Sequence, residues 1–210
     1  MTLYEKKEAL IKEEWDNFHT VQNEGGMAGC QQDPETFFAM RRSQFTCWNE
    51  ALVDSWHNDL LEAKSQGRNL LSEKYAWMMQ QTAPDEFKKI SHLLCPPDVF
   101  DLELMEQIIA DEVRWMEQYH RDYPFMAAGN RSVHSSSDSR YETSFETYLR
   151  GELHTYSPKT LRLYADMINR LKKEHKSLAV CVMDAMVKNY GYKDLDDAEN
   201  QQKLRATYNI

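Results

Sequence analysis

Glycine and proline are scarce in this chain, with 7 and 6 residues among 210. They fall between stretches of helical periodicity rather than inside them, so the chain reads as nearly all helix. Cysteine is scarce too: Cys30, Cys47, Cys95 and Cys181 are far apart with no C-x-x-C spacing. Neither a zinc knuckle nor a redox pair is indicated, and reduced thiols are expected. A basic excess is lacking, with 25 Lys and Arg against 34 Asp and Glu and a net charge of −9. That balance disfavours a sequence-independent grip on phosphates, so no nucleic-acid partner is expected. No apolar run approaches the roughly 18 residues that span a bilayer. The opening MTLYEKKEALIKEEW does not follow the cationic-then-apolar order of a secretory signal. A cytoplasmic location with no membrane contact is the expectation. The motifs HExxH, GxSxG and the GK[ST] ending of a P-loop are absent.

What is present suits a packed core: 41% hydrophobic residues, with 5 Trp, 8 Phe and 11 Tyr. The expected architecture is all-α, one helical domain over 1–210 of about seven to nine helices. A first helix carries Leu10, Ile11, Trp15 and Phe18 at three- and four-residue steps. Asp33-Pro34 caps a long second helix through Phe37, Phe38, Phe45, Trp48, Leu52, Trp56 and Leu60, which Gly67 ends. Asn69 caps a third, and a short fourth holds Phe87, Ile90 and Leu93. Asp98 caps a fifth, which ends before Tyr123-Pro124. Further helices span about Ser144–Thr155, from Ser157-Pro158 onward, and about Ser177–Tyr190. Residues 127–142 form a polar, Ser-rich loop able to order around a ligand or simply to connect, and 193–210 is a weakly amphipathic C-terminal tail.

Projection at about 100° per residue places four charges inside apolar stripes: Arg41 and Asp59 on the second helix, Lys74 on the third and Glu152 on the sixth. On one continuous helix, Arg41 and Asp59 would lie roughly 27 Å apart and could not satisfy each other. Inward charge demands a partner. Internal salt bridges that fix helix register are the plainer account. The sharper one is a polar pocket in which an Arg fork holds a substrate carboxylate or phosphate while a carboxylate moves a proton.

Weaker candidates follow. The loop Glu24 to Gln31, EGGMAGCQ, could approach an anion with backbone N–H groups, and Cys30 within it could act as a ligand contact or nucleophile. Acid-x-x-His pairs at Asp16/His19, Asp54/His57 and Glu117/His120 permit a carboxylate–histidine metal centre, but no metal ligand set is assigned. His154 near Glu152 is a candidate base or an ordinary helix residue.

Four segments, EEWDNFHTVQNEGGMAGCQ (13–31), MRRSQFTCW (40–48), GRNLLSEKYAWMM (67–79) and TSFETYLRGELHTYS (143–157), resemble a bacterial domain-of-unknown-function family, the one numbered four-one-two-five. The likeness runs from Glu13 to about Tyr192. It implies a bacterial cytoplasmic protein and a shared polar set of Arg41, Gln44, Glu73, Lys74, Tyr75, Arg150 and Glu152, with no activity to carry over.

Two functions compete. One is a small-molecule binding protein or enzyme: Arg41, Gln44, Lys74, Arg150 and Cys30 contact an anionic ligand, while Glu152, Glu73 and Tyr75 supply acid/base groups. The other is a non-catalytic adaptor for a protein partner, marked by an exposed apolar patch and no enclosed polar cavity. Inward charge of both signs inclines the reading to the first. No cofactor is identified.

Overall fold

A computed structural model describes residues 1–22 and 26–208. Among them there are helices and no strands. The α-helices are α1 (Leu3–His19), α2 (Pro34–Gln44), α3 (Glu50–Ser65), α4 (Leu70–Thr82), α5 (Pro84–Ile90), α6 (Val99–Asp122), α7 (Pro124–Ala127), α8 (Phe145–Leu153), α9 (Pro158–Lys173), α10 (Leu178–Asn189) and α11 (Leu195–Tyr208). The helix starts follow local chemistry. Asp33, Asn49, Asn69, Asp98, Ser144, Ser157 and Ser177 each accept a backbone N–H of the first turn on a side-chain oxygen. Such caps contribute about 1 kcal/mol apiece.

The described residues hold eleven α-helices, more than the seven to nine expected, and the largest correction is the second helix. Its apolar periodicity continues through Phe45, Trp48 and Leu52, yet the backbone does not. Phe45–Cys47 tightens into a 3₁₀ turn, Trp48 is extended, and Asn49 caps a new helix by accepting from the Leu52 N–H. The cap in Asn49-Glu50 is hidden because helix, turn and helix happen to keep one stripe inward. Gly67, at φ +72°, closes α3 in the left-handed region as expected. The short α7 adds one helix, and the tail forms α11, burying Leu195 and Ala198.

The main core joins Leu10, Ile11, Phe45, Leu52, Trp56, Leu60, Met105, Leu153, Leu161 and Ile168. A second cluster packs Met116 and Tyr119 with Ala127, Val187, Leu195 and Ala198. α4 lies against α8, α1 against α3, and α6 against α9, while α10 covers α2, α6 and the 45–47 turn. The α4–α8 approach is close at Gly151, where a Cβ would stand 2.6 Å from Met78 Cγ and 2.9 Å from the Lys74 carbonyl oxygen.

Residues 127–142 behave as a tied connector. Asp138 accepts from the Ser144 N–H and the Thr147 hydroxyl, the Ser135 N–H donates to Glu146, and the Phe145 N–H donates to the Ser132 carbonyl at 2.8 Å. The 45–47 turn packs on α10, which places Cys47 beside Cys181, and all four cysteines are free thiols.

Candidate functional site

Three of the four inward charges meet in one buried network, completed by an acid from α1. Arg41 Nε donates to Glu14 Oε2 at 2.6 Å and its Nη2 to Glu14 Oε1. Its Nη1 donates to Gln44 Oε1 and lies 3.5 Å from Glu152 Oε1. The Trp56 indole N–H donates to Glu14 at 2.7 Å. Lys74 Nζ donates to Glu152 Oε2 at 2.6 Å, and Tyr156 donates its hydroxyl to Glu152 Oε1 at 3.2 Å. Lys74 also sits 3.6 Å above the Tyr148 ring, a cation–π contact. Two cations thus meet two carboxylates where unpaired charge would be prohibitively costly.

The electrostatics follow from that enclosure. Burial pushes the Glu152 carboxyl up, but Lys74 and Arg41 more than offset it and hold the group at about 2. Burial alone would discharge Lys74 and Arg41, and their facing carboxylates keep both firmly protonated. A carboxylate that acidic is a weak base near neutral pH. Glu112 of α6 is the opposite case: burial lifts it to about 8, against the opposing hydrogen bond from Tyr164 at 2.8 Å. It therefore holds its proton near neutrality, inside the core.

Arg41, Gln44, Lys74 and Glu152 come together as the sequence suggests. Tyr75 stands at the edge of the network beside Tyr148 and Cys30, and burial raises its hydroxyl well above the ordinary tyrosine range. Cys30 is exposed. Glu73 and Arg150 are brought elsewhere. Glu73 is held by both arms of Arg68, at 2.7 and 2.6 Å, and Arg150 reaches out to Glu106 and Glu146. Asp59 meets no cation among the described residues: it accepts the Ser157 N–H at 3.1 Å and the Thr160 hydroxyl at 2.6 Å, anchoring the N-terminus of α9.

Glu14 and Glu112 escaped sequence reasoning although each carried a signal. Glu14 falls three and four residues from Ile11 and Leu10, and four from Phe18; Glu112 stands likewise to Ile109, Ile108 and Met116. Of the glycine-containing loop, Glu24 and Gly25 lie outside the described residues. Beyond them the buried Gln31 turns back and donates to the Phe18 and Val21 carbonyls, both at 2.9 Å, sealing the end of α1. His154 packs against Trp77 at a ring tilt of 30°, with Nδ1 2.8 Å from the Arg150 carbonyl, so that nitrogen carries the proton. No group of three or more His, Cys, Asp or Glu able to hold a metal ion occurs among the described residues.

Two clefts flank α9, one against α6 between Gln107, Asp111, Asn169 and Lys172, the other along Asp166, Arg170 and Lys173. Neither is lined by Arg41, Lys74 or Glu152. A family model described as "Protein of unknown function (DUF4125)" matches residues 5–200. No curated protein and no solved structure matches the chain.

Proposed function

Because the chain belongs to the DUF4125 family, whose description names no activity, we propose from its geometry that it works as a non-catalytic interaction module in the cytoplasm. The observation that carries this reading is the α5–α6 connection. Leu93, Val99 and Phe100 are 70, 68 and 78% exposed around Pro96-Pro97, with Leu102 on the following turn. Leaving such side chains in water forgoes about 1.5–3 kcal/mol each relative to full burial. Asp98 and Glu103 flank them, so the complementary surface is an apolar groove with a basic rim on a partner protein. The inward charges, meanwhile, already have internal partners.

A second reading, a small-molecule binding protein or enzyme for an anion, is favoured by one feature. The 3.5 Å Arg41–Glu152 contact is longer than the other ion pairs of the cluster, and the Glu152 side chain keeps 16% exposure beside Tyr148. An anionic group could replace Glu152 on Lys74 and Arg41.

Thermal shift across organic anions, nucleotides and divalent metals, together with a photo-crosslinking residue placed at position 100 in the producing cells, separates the two. The interaction reading expects no shift of several degrees, and adducts at position 100 that vanish with Val99→Asp. A shift with an organic anion that is lost in Lys74→Met, with no adducts, would overturn it in favour of the pocket.

A further inference from the structure

Cys47 ends the 3₁₀ turn between α2 and α3, and Cys181 lies in the first turn of α10, its N–H bonded to the Ser177 carbonyl at 3.0 Å. The packing of that turn on α10 brings the two thiols beside one another, close enough for each to shift the other's charge. Both are half-buried, so a small oxidant has access, whereas Cys30 and Cys95 are exposed and stand apart from them. The surroundings favour negative charge on one sulfur. Arg170 donates to the Cys47 carbonyl at 2.7 Å, Lys7 reaches the Thr46 carbonyl at 3.5 Å, and Lys176 faces Cys181. Asp184 and Glu174 oppose them; Asp184 is paired with Lys188, and Glu174 shares Lys176 with the thiol. The first turn of a helix adds its own positive end.

We propose that Cys181 and Cys47 form a reversible thiol–disulfide site in which Cys181 reacts with a hydroperoxide and Cys47 resolves the product. Position divides the labour, because Cys181 lies in the first turn of α10 with Lys176 beside it. Cys181 and burial push the Cys47 thiol well above the ordinary thiol range, while Cys47 and Lys176 draw Cys181 down to about 7. In the first step the Cys181 thiolate attacks a peroxide oxygen: an S–O bond forms, the O–O bond breaks, and hydroxide leaves to be protonated to water. Cys181 is oxidised by two electrons to a sulfenic acid. In the second step the Cys47 sulfur attacks the sulfenic sulfur. The S–S bond forms, the S–O bond breaks, and the departing hydroxide takes the Cys47 proton as water. Two thiols and one hydrogen peroxide give one disulfide and two waters. The disulfide would tie the α2–α3 turn, one residue past Thr46 and three past Gln44, to α10.

The test is peptide mapping of the full-length reduced protein after treatment with stoichiometric hydrogen peroxide. The expected result is a Cys47–Cys181 linked peptide pair, two hydrogens lighter and restored by dithiothreitol. At pH 7 Cys181 should alkylate several-fold faster than Cys30 or Cys95, because Cys47, Lys176 and the helix end favour its thiolate. Cys47→Ser should accumulate a dimedone-trapped sulfenic acid on Cys181, and Cys181→Ser should leave Cys47 unmodified. Oxidation confined to Cys30 and Cys95, or Cys181 alkylating no faster than they do, would overturn the proposal. The mapping of the unsubstituted protein decides the matter even where a serine variant folds poorly.

Discussion

Single residues set the sign of the pH response. Glu152, held at about 2 by Lys74 and Arg41, is deprotonated in the fold at pH values where an unfolded carboxyl near 4.3 takes a proton. Its contribution to stability is present above about 4.3 and is lost as pH falls toward 2. Glu112 runs the other way. With a folded value of about 8, its contribution is full below about 4.3 and is lost as pH rises through 8. Glu112→Gln keeps an acceptor for Tyr164 and removes that dependence. The variant should be more stable than the native chain at pH 8 and differ little at pH 5; denaturant midpoints at the two pH values check this. Arg41→Ala leaves Glu14 buried with only Trp56 as a donor, and should cost about 3–5 kcal/mol, read from chemical unfolding. A fully stable Arg41→Ala protein would show that water or an ion compensates Glu14. Arg41, Lys74 and Glu152 were legible as inward-facing, because helical projection reports which face a charge occupies. Their partners were not, because which acid meets which base depends on how helices distant in sequence are laid together.

At the scale of elements, caps and close approaches decide the geometry. Asn49→Ala removes the oxygen that accepts the Leu52 N–H and should cost about 1 kcal/mol, with further loss if α2 and α3 attempt to merge. Gly151→Ala sets two effects against each other. Alanine favours a helix interior by up to about 1 kcal/mol, but its Cβ would meet the Lys74 carbonyl oxygen at 2.9 Å, and backbone cannot swing aside as Met78 can. Separation of α4 from α8 should win, giving net destabilisation of about 1–3 kcal/mol in thermal or denaturant unfolding. The starts at Asp33, Asn69, Asp98 and Ser157 were legible since a cap is local chemistry. The break before Asn49 was not, because a short 3₁₀ turn preserved the apolar stripe across it.

Across the whole molecule, the C-terminal segment belongs to the packing. Glu199 accepts the backbone N–H groups of Phe125 and Met126 at 3.0 and 2.8 Å, and Leu195 and Ala198 close the second cluster. Deleting residues 195–210 should lower the melting temperature and expose Tyr119 and Val187 while the main core stays helical by circular dichroism; an unchanged melting temperature would show that α11 adds nothing. The helical class, most helix starts, the faces turned inward and the family likeness are all legible in the order of the residues. Each of these is written in composition, in cap chemistry or in a period of 3.6 residues. The packing of the helices is what gives Arg41 both Glu14 and Gln44 as partners, leaves Arg150 and Glu73 outside the network, and sets Cys47 beside Cys181. Those are contacts between distant segments, and the relative placement of helices that creates them is encoded in the joint packing of many side chains rather than in any local pattern.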